Sequence, residues 1–359
     1  MTVRDMRSDE GAMGIQNLPV DRAARDRFGR PLHDLRISVM DRCNFRCPYC
    51  MPRETFHDRY RFLKSAERLD FPEIVRVARL AVGLGVRKLR LTGGEPLLRT
   101  GLSDLVAELS TLEGVEDIAL TTNGVLLAQH AAELRGNGLN RVTVSLDSLD
   151  EAVFARMSGG FGGLEQVLNG IAAALEAGLD PVKINAVVRR GINDQSVLPL
   201  LERFRGSGVI VRLIEFMDVG TRNSWRPQDV VPSRELLQAI RSRWPVTALP
   251  GRYPGEVAER YVYDDGAGEI GFISSVSAPF CGNCSRGRLS SEGIFYTCLF
   301  ATHGVDLRAP LRAGAGDDEL LALMRGAWSR RDDRYSELRG AEPPGEQPLR
   351  KIEMHYIGG

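Results

Sequence analysis

The chain has 359 residues, 43% of them hydrophobic, which is enough for a sizeable core in one large domain or two of ordinary size. Its 47 lysines and arginines balance 47 aspartates and glutamates, which argues against binding nucleic acid or an anionic membrane through overall charge. We find neither an apolar run that could span a membrane nor the apolar core of a signal peptide. The six cysteines fall into two groups of three, which predicts a reducing, cytoplasmic environment rather than a disulfide framework.

Changes in composition divide the chain into three predicted regions. Residues 1–33 are polar and rich in glycine, arginine and aspartate, and we expect a mobile N-terminal extension there. In residues 34–220, short apolar runs alternate with segments of helical periodicity. This alternation stops in residues 221–359, where we expect an α+β extension that carries the second group of cysteines.

The middle region predicts an α/β fold. Its predicted strands are Leu35–Met40, Lys88–Leu91, Asp117–Thr121, Arg141–Leu146, Val182–Val188 and Val209–Phe216. Six strand–helix alternations fit either a doubly wound sheet or a partial, TIM-like (β/α)6 barrel. Polar residues such as Thr92–Pro96 and Ser145 crowd the C-terminal end of nearly every strand. Barrels place their active sites at that face, so the pattern favours the barrel.

The first cysteine group follows the first predicted strand. Cys43, Cys47 and Cys50 have the spacing C-x3-C-x2-C, with Tyr49 directly before the last cysteine. Three thiolates are one fewer than a closed zinc or iron–sulfur site uses, so one coordination position would stay open to a ligand. The alternative is a Cys3His zinc site completed by His57.

The second group is Cys281, Cys284 and Cys298, with the spacing C-x2-C-x13-C. A Cys3His zinc site with His303 is again an alternative. Against it, Arg286 and Arg288 stand beside Cys284, and cations next to an anionic cysteine site suggest that an anionic ligand docks there.

Two of these motifs resemble those of radical S-adenosylmethionine enzymes, namely the first cysteine spacing and the Gly-Gly-Glu of Thr92–Pro96. The whole set resembles the GTP 3′,8-cyclase family of molybdenum cofactor biosynthesis. The matching motifs are LRxSxxDRCNxRCxYC, TGGEPLLR, LTTNG, VSLD, IEFMDVG, CGxCSRxRL…CLF and the terminal Gly-Gly. The resemblance extends from about residue 33 to residue 359. Met40 departs from it, since the family more often has threonine there.

The resemblance implies two 4Fe–4S clusters, one on each cysteine group, with S-adenosylmethionine on the open iron of the first and substrate on that of the second. The implied S-adenosylmethionine contacts are Tyr49, Gly94, Ser145 and Met217. The implied GTP contacts are Arg36, Arg90, Thr121, Lys183, Arg286 and Arg288, with Arg212 lining the same chamber. Alternating apolar and polar residues over Arg350–Ile357 predict an ordered, strand-like tail. The resemblance implies that Gly358-Gly359, which follow it, enter this chamber. Four of the cations lie inside predicted strands, where an unpaired charge is unfavourable.

The implied reaction converts GTP to (8S)-3′,8-cyclo-7,8-dihydroguanosine 5′-triphosphate. An external electron donor would reduce the first cluster, and the product would pass to cyclic pyranopterin monophosphate synthase. A homodimer is one option for the assembly. The nearest alternative is another radical S-adenosylmethionine enzyme with an auxiliary cluster, such as a peptide-modifying maturase. The alternative from a different class is a zinc-stabilised binding protein without catalysis.

Overall fold

A computed structural model describes residues 23–253, 255–339 and 351–358. Its strands form one sheet with the order β12-β11-β10-β1-β2-β3-β4-β5-β6-β9-β8-β7. The strands are β1 (Asp34–Ser38), β2 (Lys88–Thr92), β3 (Asp117–Thr122), β4 (Arg141–Ser145), β5 (Val182–Val188), β6 (Ile210–Glu215), β7 (Val246–Leu249), β8 (Glu259–Tyr263), β9 (Glu269–Ile273), β10 (Arg286–Leu289), β11 (Ile294–Tyr296) and β12 (Val305–Asp306). The helices are α1 (Phe71–Gly83), α2 (Leu102–Ser110), α3 (Leu127–Gly136), α4 (Glu151–Ser158), α5 (Leu164–Glu176), α6 (Val197–Phe204), α7 (Ser233–Arg241), α8 (Arg308–Arg312), α9 (Asp317–Ser329), α10 (Tyr335–Leu338) and α11 (Met354–Ile357). In these ranges no helix is both long and apolar enough to cross a membrane.

Strands β1 to β6 form the centre of the sheet, are parallel, and follow one another in chain order. Helices α1 to α6 connect them, and the six predicted strands end within two residues of the observed ones. A doubly wound sheet would reverse its strand order at a switch point, whereas this order does not reverse. The predicted partial (β/α)6 barrel is therefore confirmed.

The two faces of these strands differ in polarity because successive side chains point to opposite sides. Leu35 and Ile37 in β1, like Leu89 and Leu91 in β2, are buried in the hydrophobic core with the helices. Arg36, between the two β1 core residues, faces the opposite side. The outer face thus supplies the packing, and the inner face is left for charged and polar groups.

The C-terminal region extends the same sheet at both edges. Strand β9 pairs in parallel with β6, and β10 pairs in parallel with β1. The remaining strands add antiparallel pairs outside them. The predicted α+β extension is therefore part of the barrel wall. The sequence pattern does not reveal this because the pairing joins strands that are far apart in the chain.

Residues 23–33 lie within the predicted mobile extension but are packed onto the folded body. Ala24 and Leu32 are buried, and the Ala24 N–H donates to the Leu84 carbonyl at 2.8 Å. Asp26 and Arg30 are buried as well. The hydrophobic pattern missed this segment because charged side chains make up much of what it buries. Residues 1–22 lie outside the described residues.

Candidate active site

The inner face of the barrel encloses two adjoining cavities. One is lined by Cys43, Cys47 and Cys50, and the other by Cys281, Cys284 and Cys298. Both cavities are lined by Tyr49, Thr121, Asn185, Val187, Ile214 and Met354. All six cysteines are free thiols. The two cysteine groups therefore face one continuous chamber.

The first cysteine loop packs tightly against the glycines that follow β2. The Gly94 N–H donates to the Met40 carbonyl at 2.6 Å, and the Glu95 N–H donates to the Arg42 carbonyl at 2.8 Å. A Cβ atom on Gly94 would lie 2.2 Å from the Arg42 carbonyl oxygen, and one on Gly93 would lie 2.2 Å from that of Met40. The two glycines are thus required by the approach of the cysteine loop as well as by a turn.

Glu95 links three loops at the C-terminal ends of the strands. Its carboxylate accepts hydrogen bonds from the Thr122 hydroxyl at 2.7 Å and the Asn123 N–H at 2.8 Å. The Asn123 side chain in turn donates to Asn44 in the cysteine loop at 2.6 Å. Burial raises the pKa of Glu95 to about 7, although these hydrogen bonds act in the opposite direction.

The thiols of the first group lie close enough to influence one another. Burial raises the pKa of Cys43 to about 12 and also raises that of Cys47, where the Cys43 and Cys50 thiols add to the effect. Such a set fits a cubane cluster, which takes one cysteine at each of several irons. In the described ranges, no three His, Cys, Asp or Glu side chains are placed to hold a metal ion. His57 and His303 are exposed and line neither cavity, so the zinc alternatives lack support.

The second cysteine group closes the side of the barrel between β9 and β10. Cys281 and Cys284 lie on the connection between these strands, and Cys298 follows β11. Glu215, at the end of β6, holds the start of this connection by accepting from the Val276 and Ser277 N–H groups, each at 2.8 Å.

Cys284 differs from the other thiols because it lies beside arginines. Burial alone would raise its pKa, but the charges of Arg286 and Arg331 outweigh burial and lower it to about 6. The Arg286 guanidinium donates to the Cys284 sulfur at 3.0 Å. Burial raises the pKa of Cys298 to about 12, assisted by Asp333. The site thus already favours a thiolate at one of its three positions.

Three arginines occupy matching positions on neighbouring strands of the inner face. Arg288 in β10 is the register partner of Arg36 in β1, which is the partner of Arg90 in β2. We refer to Arg288, Arg36 and Arg90 as the arginine row. All three line the cavity of the second cysteine group. The ion pairs formed among the described residues include none of them.

Burial and mutual repulsion act on the arginine row. Burial, followed by the charges of Arg288 and Arg286, lowers the pKa of Arg36 well below its usual value. Burial lowers the pKa of Arg288 to about 10. Arg90 donates to the hydroxyls of Thr121 at 3.0 Å and Thr143 at 3.3 Å, which satisfies hydrogen bonds without supplying a negative charge. An anion in this cavity would relieve the repulsion.

Most residues predicted as ligands border the chamber. The cavity of the second cysteine group is lined by Arg36, Arg90, Thr121, Arg212, Met217, Arg286 and Arg288. Tyr49 lines both cavities, and Gly94 and Ser145 line the first.

Lys183 is buried on β5 and does not line either of the two cavities, so its predicted contact with GTP stays a prediction. It is buried beside Thr143, its register partner, whereas Asn185, two residues further along β5, lines both cavities. Burial lowers the pKa of Lys183 to about 6, and the charges of Arg212 and Arg141 contribute.

The C-terminal tail is anchored beside the chamber by two charged residues. The Lys351 ammonium donates to the Asp218 carboxylate at 2.8 Å, and the Glu353 carboxylate accepts from the Thr221 N–H at 3.1 Å. Residues 354–357 form helix α11, so the strand predicted there was wrong. Alternation over so few residues does not distinguish the two structures. Arg350, where that predicted strand began, lies outside the described residues.

The end of the tail reaches the arginine row. The carbonyls of Ile357 and Gly358 both accept hydrogen bonds from the Arg288 guanidinium. Gly358 has φ +73°, and a Cβ atom there would lie 2.1 Å from Thr92 Cγ2. Only glycine fits this position without displacing its neighbours. Gly359 lies outside the described residues.

Two features of the chamber were not predicted. Met354 lines both cavities, but a single methionine near a terminus carries no motif. The Tyr49 hydroxyl donates to the Asp147 carboxylate at 2.8 Å, and burial raises the pKa of Asp147 to about 7. The sequence places Tyr49 and Asp147 near strand ends, but it does not indicate that their side chains contact each other.

Comparison with known proteins agrees with this geometry. Residues 37–204 match the model of the radical SAM superfamily, and residues 209–337 match the model described as Molybdenum Cofactor Synthesis C. The solved structure of Streptococcus suis SuiB bound to S-adenosylmethionine has a TM-score of 0.59 at 14% identity, covering 86% of this chain and 70% of that one. This likeness shows the fold alone. The fold and the cysteine chamber define a radical S-adenosylmethionine enzyme.

Curated relatives identify the family within that class. The chain is 54% identical to the GTP 3′,8-cyclase of Xanthomonas axonopodis pv. citri, over 93% of this chain and 98% of the relative. The corresponding values are 51%, 93% and 99% for the GTP 3′,8-cyclase of Acidothermus cellulolyticus, and 46%, 93% and 98% for that of Staphylococcus haemolyticus. The chain belongs to the GTP 3′,8-cyclase family.

The approach of the two loops gives a test of Gly94. We expect Gly94→Ala to destabilise the protein by about 1–3 kcal/mol, because the new methyl group forces the backbone of the cysteine loop to move. Denaturant unfolding measures this change. Gly136→Ala is the matched control, since nothing lies within 4 Å of its added Cβ. The same unfolding midpoint in both variants would contradict the requirement for glycine.

Proposed function

We propose that this chain converts GTP to (8S)-3′,8-cyclo-7,8-dihydroguanosine 5′-triphosphate, the first step of molybdopterin biosynthesis. It would use S-adenosylmethionine and two 4Fe–4S clusters. The observation that carries the proposal is one chamber faced by two groups of three free cysteines and lined by the arginine row, which forms no ion pair within the described ranges. The names of the relatives, which match nearly the whole chain, support the choice of reaction.

At the first site, Cys43, Cys47 and Cys50 would hold a cluster. When bound, this cluster and S-adenosylmethionine would supply the radical chemistry that removes hydrogen from the 3′ carbon of the ribose. Tyr49, Gly94, Ser145 and Met217 would contact S-adenosylmethionine. Burial of this space keeps water away from reactive groups and fixes their orientation.

The arginine row suits the triphosphate. Like charges at opposed positions of a sheet repel one another. An anion that contacts several of these cations is attracted to each of them and reduces their repulsion, which favours its binding. Guanidinium groups also match phosphate oxygens with two parallel hydrogen bonds. Arg212 and Thr121 would extend this surface, and Lys183 would add charge from behind it.

At the opposite side of the chamber, Cys281, Cys284 and Cys298 would hold the second cluster with an open position for the purine. Arg286 contacts Cys284 and lines the same cavity, so it would orient the substrate relative to that cluster. Gly358-Gly359 would complete the chamber wall beside Arg288. These residues bind and orient the substrate while the radical chemistry belongs to the cofactors.

The reaction also implies partners and a location. An external one-electron donor would reduce the first cluster, and cyclic pyranopterin monophosphate synthase would receive the product. We place the protein in the cytoplasm because six free cysteines that hold oxygen-sensitive clusters need a reducing compartment. Assembly as a homodimer is compatible with this function.

The decisive experiment is an anaerobic incubation of the cluster-loaded protein with S-adenosylmethionine, dithionite and GTP deuterated at the 3′ carbon. We expect 5′-deoxyadenosine that carries deuterium, and a nucleotide cyclised between the 3′ carbon and carbon 8, both measured by mass spectrometry. Cys43→Ala should abolish both products, whereas Cys281→Ala should retain part of the S-adenosylmethionine cleavage but form no cyclised nucleotide. Full cyclisation by Cys281→Ala would show that the second cysteine group is only structural.

Lys183 gives a pH-dependent prediction. Its pKa of about 6 lies far below the usual value of 10.5, so it is mostly neutral at pH 8 in the free protein. A triphosphate near Arg212 and Arg90 should raise this pKa, so binding should take up a proton and weaken as the pH rises. Calorimetry of GTP binding at about pH 8 in two buffers of different ionisation enthalpy measures the uptake. Lys183→Met should remove it, and equal uptake by both proteins would exclude Lys183 as its source.

The same shift affects stability in the free protein with a defined sign. The unfolded chain binds the Lys183 proton up to pH 10.5 and the folded chain only up to about pH 6, so this residue makes stability rise with pH between these values.

The tail gives a separate prediction. Deleting Gly358-Gly359 removes the Gly358 carbonyl that accepts from Arg288, while Lys351 and Glu353 still anchor the rest of the tail. We expect both clusters and S-adenosylmethionine cleavage to persist while cyclisation falls on the order of tenfold or more, a loss of about 1.4 kcal/mol of transition-state stabilisation. Iron analysis and product assays in parallel measure the two effects. Undiminished cyclisation would show that the glycine pair does not contribute to the reaction.

A further inference from the structure

Two buried arginines and one buried aspartate lie behind the second cysteine group. The Asp26 carboxylate pairs with Arg30 Nε at 2.5 Å and with Arg331 Nη1 at 3.0 Å. The side chains of all three are at most 3% exposed. We refer to Asp26, Arg30 and Arg331 as the buried triad. It joins the segment after residue 22 to the end of α9.

The triad binds the backbone of two of the three cysteines. Arg30 Nη1 donates to the Cys281 carbonyl at 2.7 Å, and Arg331 Nη1 donates to the Cys284 carbonyl at 2.7 Å. Each of these cysteines is therefore fixed by its own guanidinium, and both guanidinium groups share Asp26. The spacing between Cys281 and Cys284 thus depends on residues that are distant in sequence.

The arginines are themselves held rigidly. The Asp26 carboxylate accepts from the Arg30 N–H at 2.9 Å, and the fully buried Trp328 indole donates to the Arg30 carbonyl at 3.1 Å. The Arg27 N–H donates to the Arg331 carbonyl at 3.2 Å. Because side chain and backbone are both held, the triad can transmit a fixed geometry to the cysteines.

Within the triad two guanidinium groups share one carboxylate, and Arg331 Nε forms a further ion pair with the Asp333 carboxylate at 3.4 Å. Arg30 Nη2 and Arg331 Nε are buried and have no hydrogen-bond partner within the described ranges. The Arg331 guanidinium, paired with Asp26 and Asp333, therefore sets a positive charge beside the Cys284 backbone.

We propose that Asp26, Arg30 and Arg331 are positioning residues for the second cysteine group, which fix Cys281 and Cys284 and hold a positive charge beside the metal centre. The inference rests on the proposed function, in which this group carries an iron–sulfur cluster. It gives residues 23–33 a role in assembling the substrate-binding cluster rather than in covering the barrel.

The test isolates the second site. In a background with Cys43, Cys47 and Cys50 all replaced by alanine, only the second group can take up a cluster. Into this background we introduce Asp26→Asn, Arg30→Gln or Arg331→Gln. Arg27→Gln is the matched control, because the Arg27 side chain is 59% exposed and pairs with Asp332 at the surface. Iron and sulfide per chain are measured after anaerobic reconstitution, and the midpoint potential is measured by an EPR-monitored titration.

We expect each triad variant to lose more than half of the iron that the parent binds, while Arg27→Gln binds as much as the parent. The potentials of the remaining clusters should move in opposite directions. Loss of a positive charge in Arg331→Gln disfavours the more negative, reduced cluster and lowers the midpoint, whereas loss of the negative charge in Asp26→Asn raises it. Arg331→Lys, which keeps the charge, should retain the parent midpoint. A purely structural role would not produce opposite shifts.

A second background separates this inference from a general loss of folding. With Cys281, Cys284 and Cys298 replaced by alanine, the triad variants should load the first cluster as the parent does. Loss of iron in both backgrounds, or unchanged iron and midpoint in the first, would overturn the inference alone. Absence of any cluster from the parent of the first background would overturn the proposed second cluster, and this inference with it.

Discussion

The main physical constraint on the barrel interior is the repulsion among the three cations of the arginine row. Arg288, Arg36 and Arg90 stand side by side on three adjacent strands and line the interior of the barrel. Arg288 is buried, and the other two are partly buried. A barrel core would normally fill these positions with branched apolar side chains. Cations without a counter-charge at these positions lower stability, and an anion bound between them would offset that loss.

The arginine row can form only because the C-terminal region contributes a strand to the barrel wall. Arg288 belongs to β10, and the row forms only because β10 pairs in parallel with β1. Cys284 precedes this strand by two residues and Arg286 begins it, so one short stretch supplies a cysteine of the second group and two cations. The pairing of β10 with β1 therefore fixes the distance between the second cysteine group and the arginine row. Glu215 holds the start of the connection to β10 from the end of β6.

Local signals allowed much of this to be predicted. The six strands follow from apolar runs, and both cysteine groups and the Gly93-Gly94 turn follow from spacing, since each signal lies within a few residues. The burial of Lys183 away from the cavity lining and the packing of Asp26 and Arg30 could not be predicted, because they depend on partners far along the chain. Helix α11 was missed for another reason: four residues are too few for a period of two and a period of 3.6 to be told apart.

The C-terminal tail orients the Arg288 guanidinium without neutralising its positive charge. The carbonyls of Ile357 and Gly358 accept its hydrogen bonds, and carbonyl oxygens carry no net charge. The contact fixes the direction of the guanidinium but leaves its positive charge available to a phosphate. A carboxylate in the same place would satisfy the same donors and cancel the charge. The backbone acceptors of Ile357 and Gly358 therefore orient Arg288 while leaving its charge uncancelled by this contact.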